Sequence, residues 1–97
     1  MGKDKKEPIR TFVEDDEDYL RWTRQNPTGF VLNCHKIPHA DYLILHSADC
    51  GTITTTKRTH WTTSGYIKLC FLSKVALKNW AKKAVGGELH PCVQCKT

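Results

Sequence analysis

Cys92-Val93-Gln94-Cys95 stands behind a Gly86-Gly87 pair, in a segment that carries neither a helical nor a strand pattern. Two thiolates at C-x-x-C spacing can turn back on one metal ion, the usual half of a structural zinc centre. A tail without a regular element has little reason to order itself unless something pins it. A domain of 97 residues buries only about 60% of its unfolded surface, and a metal is a common staple at that size. Half a site requires another half. The best candidate is His46-Ser47-Ala48-Asp49-Cys50, where an apolar run ends and the chain can reverse. His46, Cys50, Cys92 and Cys95 would make a closed tetrahedral set for a structural Zn2+, three thiolates and one imidazole with no open position for chemistry.

Other residues compete for the same ion. Cys70 in a strand could replace His46 in an all-cysteine site, although a free Cys in a strand is more often a small buried hydrophobe. His90 lies two positions before Cys92, and Cys34-His35 follows another strand. The five cysteines are an odd number, which fits a reducing compartment better than a disulfide framework. The N-terminal segment lacks the apolar core of a secretory signal, and no run approaches the roughly 18 apolar residues of a membrane helix. The expectation is a cytoplasmic protein with no membrane partner.

Hydrophobic periodicity outlines a single domain. Residues 1–11 are polar and read as a flexible arm, with the domain over 12–97. Asp15 or Asp16 can cap a helix whose first turn carries further acids, as the helix dipole prefers. At about 100° per residue, Tyr19, Leu20, Trp22 and Thr23 share one face. That predicts an amphipathic helix near 16–25, ended by Asn26-Pro27-Thr28-Gly29. Segments 29–34, 42–46 and 66–71 read as strands. Ser73 caps a second helix near 74–84, with Ala76, Leu77, Trp80, Ala81 and Ala84 on its apolar face. The fold class is therefore α+β: a small, mostly antiparallel sheet of three or four strands with two helices, stapled by zinc.

The charge is asymmetric. Glu14 to Asp18 is a run of five acids, half of the ten in the chain. From Tyr19 onward eleven Lys or Arg face three acids (Asp41, Asp49 and Glu88), a balance of +8. Such a body suits an anionic partner, most commonly nucleic acid. Two surfaces could make the contact. Lys74, Lys78 and Lys82 recur every four residues on the second helix, within an arc of about 80°. The segment 51–65 holds seven threonines around Lys57, Arg58, His60 and Trp61. Hydroxyls and basic groups contact phosphate oxygens, and Trp61 could stack on a base. Trp22 and Trp80 fall on apolar helix faces and read as core.

Catalytic patterns are weak. A redox Cys-x-x-Cys opens a helix after a strand, which this motif does not. His39-Ala40-Asp41 with Pro91-Cys92-x-x-Cys95 echoes the zinc deaminases, but Asp stands where the proton-shuttling Glu belongs. No Ser-His-Asp set, phosphate-cradling glycine loop or pair of carboxylates on a shared face occurs, so the expectation is a protein that is not an enzyme.

The strings YLRWTRQNPTGFVLN, YLILHSADC, WTTSGYIKLC and GGELHPCVQC carry a resemblance that spans residues 11–97. They resemble a small prokaryotic Cys/His-containing accessory domain found beside nuclease or helicase domains in restriction and defence-type proteins. In that pattern His46, Cys50, Cys92 and Cys95 look like the recurring polar positions. The resemblance implies a DNA-facing module, including one that senses a modified base, with a nuclease or helicase as partner and no catalytic residue to transfer. Residues and resemblance converge on a non-catalytic nucleic-acid-binding module, DNA favoured, with structural zinc. The alternative is a zinc-stabilised adaptor between proteins.

Overall fold

The structure, a computed structural model, describes residues 9–50, 53, 62 and 65–92. Five strands form one mixed sheet: β1 (Arg10–Phe12), β2 (Phe30–His35), β3 (Leu43–Ser47), β4 (Tyr66–Phe71) and β5 (His90–Pro91), in the order β1-β4-β2-β3-β5. The first three contacts are antiparallel, and β5 pairs parallel to β3. The expected three or four strands are thus five. Both additional strands are short edge strands without a hydrophobic alternation of their own. Arg10–Phe12 belonged largely to the expected arm, yet Phe12 is buried and the three residues pair with Cys70, Leu69 and Lys68.

Helix α1 (Asp16–Gln25) has the expected span. The Asp15 side chain accepts from the Asp18 N–H at 3.2 Å and caps it. Asn26 closes it, with its own N–H and its side-chain amide both donating to the Trp22 carbonyl. Helix α2 (Lys74–Trp80) starts where Ser73 accepts from the Ala76 N–H. It continues into a π-helical turn, Ala81–Val85, that Gly86 ends in the left-handed conformation at φ 75°. The wider turn changes the phase of the last residues, so Ala84, expected on the apolar face, is exposed while Leu77 and Ala81 are buried.

The helices cover opposite faces of the sheet. Tyr19, Leu20 and Trp22 of α1 pack with Phe12, Val31, Ile44 and Cys70. Leu77, Trp80 and Ala81 pack on the other face with Leu32, Leu43, Leu45, Ile67 and Leu69. Strand alternation sorts the residues between these layers. Trp22 and Trp80 are partly buried against the two clusters, as their helix faces imply. No helix among the described residues is long and apolar enough to cross a membrane.

Candidate metal centre

On the α1 side, residues of neighbouring strands align in rows that the register fixes. Tyr66 lies opposite His35, Lys68 opposite Asn33, and Cys70 opposite Val31, which in turn lies opposite His46 on β3. The sheet therefore carries polar or sulfur groups in each of its central rows on this face.

His46 sits near the end of β3, and the chain then turns sharply. The Cys50 N–H donates to the Ser47 carbonyl at 3.0 Å, and the Ser47 hydroxyl donates to the Asp49 carboxylate at 2.8 Å. The Ala48 N–H donates to the Gly29 carbonyl, which ties the turn to the start of β2. This reversal brings Cys50 back beside His46. Cys92 arrives from the other direction. Strand β5 aligns His90 with Ile44 and Pro91 with Leu45, and the Cys92 N–H donates to the Leu45 carbonyl at 2.8 Å. The next residue along each chain segment is a site residue, His46 within β3 and Cys92 immediately after β5.

The three side chains meet. The ligand atoms of His46, Cys50 and Cys92 all lie within 4.8 Å of one another, and all three residues are buried. Cys50 and Cys92 are 4.1 Å apart. A tetrahedral zinc with Zn–S bonds of about 2.3 Å holds two sulfurs about 3.8 Å apart, so the pair would close by about 0.3 Å. His46 Nδ1 supplies a second test: it is fully buried and has no hydrogen-bond partner among the described residues. An imidazole nitrogen withdrawn from water and left unpaired is costly. A metal ion would relieve that cost, and the donor set of one imidazole and two sulfurs suits zinc. Burial, with the Lys68 ammonium adding to it, pushes the imidazole down to about 4. It is therefore neutral at pH 7, the form that ligates.

Cys95, the expected fourth ligand, lies outside the described residues. The competitors separate clearly. Cys70 is buried in the α1-side core, where burial pushes its thiol up, and it stands outside the group. Cys34 lies on the opposite face with Leu77, its thiol pushed up to about 11 by burial. His90 is exposed and outside the group.

Of the expected nucleic-acid contacts, Lys57, Arg58, His60 and Trp61 lie outside the described residues. Thr62, from the same segment, is buried and fastened to the fold. Its N–H and hydroxyl donate to Asp16 Oδ1 at 2.6 and 2.7 Å, and its hydroxyl accepts from the Asp15 N–H at 2.6 Å. Lys74, Lys78 and Lys82 are all exposed. Lys74 and Lys78 line a groove of about 230 Å3 with Leu45, Val75, Leu89 and Pro91, and Lys82 follows on the π-helical turn.

One polar network was not anticipated. Lys68, buried in the middle of β4, donates to Asn33 Oδ1 at 2.8 Å, and the Asn33 amide donates to the Tyr42 hydroxyl at 3.2 Å. Its signal in the sequence is a lysine inside the otherwise apolar string YIKLCF.

Comparison with known proteins finds no family model that matches the chain, and no match among curated proteins or solved structures.

Proposed function

We propose that this chain is a non-catalytic, zinc-stapled α+β module that binds nucleic acid, DNA before RNA. The observation that carries the staple is the buried, unpaired Nδ1 of His46 beside the sulfurs of Cys50 and Cys92. Cys95 completes the set, and the ion fixes the parallel edge strand β5 and the segment after it to the end of β3. With four protein ligands the metal has no position left for water, so its role is structural. The balance of +8 beyond Tyr19 and the exposed Lys74, Lys78 and Lys82 support an anionic partner. Lys57 and Arg58 are further contacts in this reading. A cytoplasmic, defence-type setting beside a nuclease or helicase is part of the same proposal.

The test is binding to a random duplex of about 20 base pairs at two salt concentrations. Affinity should fall steeply with salt, and changing Lys74, Lys78 and Lys82 together to Ala should flatten that dependence by about one unit of slope per lost phosphate contact. The same holds for the Lys57→Ala, Arg58→Ala pair. Salt-insensitive or absent binding would remove the nucleic-acid half of the reading.

A second reading has a specific observation behind it. The groove lined by Leu45, Val75, Leu89 and Pro91, with Lys74 and Lys78 beside it, is apolar with a basic rim. An adaptor that docks an acidic, amphipathic peptide there would keep the same staple and would show no affinity for random DNA.

A further inference from the structure

At the end of the sheet opposite the metal ligands, three rings form a row across neighbouring strands. Tyr66 opens β4 and pairs with His35, the last residue of β2, while Tyr42 immediately precedes β3. The His35 and Tyr66 rings stack, with centroids 5.2 Å apart and planes 23° apart. Tyr42 lies 4.7 Å from His35 and 5.7 Å from Tyr66. All three are half-buried, so each retains solvent-facing surface. The Tyr42 hydroxyl accepts from Asn33, whose carbonyl accepts from buried Lys68, and the Lys68 ammonium lies 5.9 Å from the Tyr66 ring centroid. That chain fixes the orientation of two rings from within the core.

Beside the row opens a hollow of about 430 Å3 lined by His35, Lys36, Ile37, His39 and Gly65. It is shallow and wide open to solvent, a shape that suits an extended strand lying across it more than an enclosed ligand. Its lining combines two imidazoles, an exposed aliphatic side chain, Ile37, at 76% exposure, and Lys36, whose ammonium also lies 3.4 Å from the Glu14 carboxylate on an exposed surface. A flat heterocycle attached to a phosphate matches that chemistry: the ring stacks or lies against Ile37, and the phosphate takes the place of the Glu14 carboxylate at Lys36, an exposed ion pair that costs little to exchange. In a duplex such rings are already stacked on one another. They are free to stack on protein only where the strand is single.

We infer that the row Tyr66–His35–Tyr42 and the adjoining hollow form a base-stacking site for single-stranded nucleic acid. The inference rests on the nucleic-acid reading above and narrows it to an unpaired strand. Lys68 and Asn33 act as positioning residues for Tyr42 and Tyr66.

The test uses the full chain, zinc-loaded, with fluorescently labelled oligo(dT) of 15 nucleotides, a 15-base-pair duplex and thymidine monophosphate. The single strand should bind more tightly than the duplex, and the monophosphate far more weakly than either. Tyr66→Leu and Tyr42→Leu should each weaken oligo(dT) binding about tenfold with the salt slope unchanged, because stacking is lost and charge is not. Tyr66→Phe should keep wild-type affinity. Should a Leu variant melt early, the wild type decides alone: on titration with oligo(dT), NMR shifts should move at His35, Tyr42, Gly65 and Tyr66. Shifts confined to other residues, or equal binding of both forms with Tyr66→Leu neutral, would overturn the inference while leaving the nucleic-acid reading in place. Monophosphate binding as tight as the oligomer would assign the hollow to free nucleotides instead. No binding to any of the three would remove both readings together.

Discussion

Lys68 and Asn33 stand directly opposite each other on the central strands β4 and β2, joined by a 2.8 Å hydrogen bond from the Lys68 ammonium to the Asn33 carbonyl oxygen. Lys68 is only 3% exposed, and its ammonium also lies 5.7 Å from the Tyr19 ring centroid. Burial pushes its pKa from 10.5 down to about 8, partly offset by nearby Cys34, Cys70 and Asp16.

That depression sets a pH dependence. Below pH 8 Lys68 is protonated in both folded and unfolded chains, and the folded state bears the desolvation cost. Between pH 8 and 10.5 the unfolded chain still holds a proton that the folded one has released, so this group favours folding more as pH rises. Lys68→Met lacks the effect. The stability of the variant relative to wild type should therefore fall by about 3 kcal/mol between pH 7.5 and 10.5, measured by urea unfolding. Titration of the tyrosines and cysteines is common to both proteins and drops out of the difference. A difference independent of pH would show that Lys68 is solvated.

Thr62 reaches the start of α1 through its N–H and hydroxyl, both donating to Asp16, while its hydroxyl accepts from the Asp15 N–H. Thr62→Val keeps the shape and removes both hydroxyl bonds, one of them to a carboxylate. The expected loss is about 2 kcal/mol in urea unfolding at pH 7. A loss below about 0.5 kcal/mol would mean that water replaces the hydroxyl there.

Gly87 leads into β5 and has no room for a side chain. A Cβ there would stand 2.8 Å from the Ala40 Cβ and 2.9 Å from both the Ala40 Cα and a Leu43 methyl. Gly87→Ala should cost about 1–3 kcal/mol in stability. It should also weaken metal retention, because the displaced segment carries Cys92. Melting together with zinc release to a colorimetric chelator reads both. A variant with wild-type values for each would mean that β5 is not held against β3.

Much of this layout is legible in the sequence, for identifiable reasons. Helix α1 and strands β2, β3 and β4 carry strong periodicity and clear caps at Asp15, Ser73 and Asn26-Pro27, so local chemistry and tertiary packing agree. The pairing of His46-x-x-x-Cys50 with Cys92 is readable because ligand spacing is itself a geometric constraint. The short edge strands are not readable: Arg10–Phe12 and His90–Pro91 are polar or proline-bearing and owe their strand form to neighbours already in the sheet. The π-helical turn after Trp80 leaves no mark in a sequence of ordinary helix formers, so the helical spacing misleads about Ala84, which is exposed. The row Tyr66–His35–Tyr42 was hidden for a different reason. Its members are separated by up to 31 positions, and only the β4-β2-β3 register brings them together.

A metal ion that holds His46, Cys50 and Cys92 together is open to direct measurement. The most direct measurement is zinc content by mass spectrometry on untagged protein, followed by melting with and without a chelator. One zinc per chain is expected in the wild type, with none retained in His46→Ala or Cys92→Ser. Chelation should lower the melting temperature by at least about 10 °C. Metal-free protein with the same melting curve in chelator would show that no ion holds the three residues.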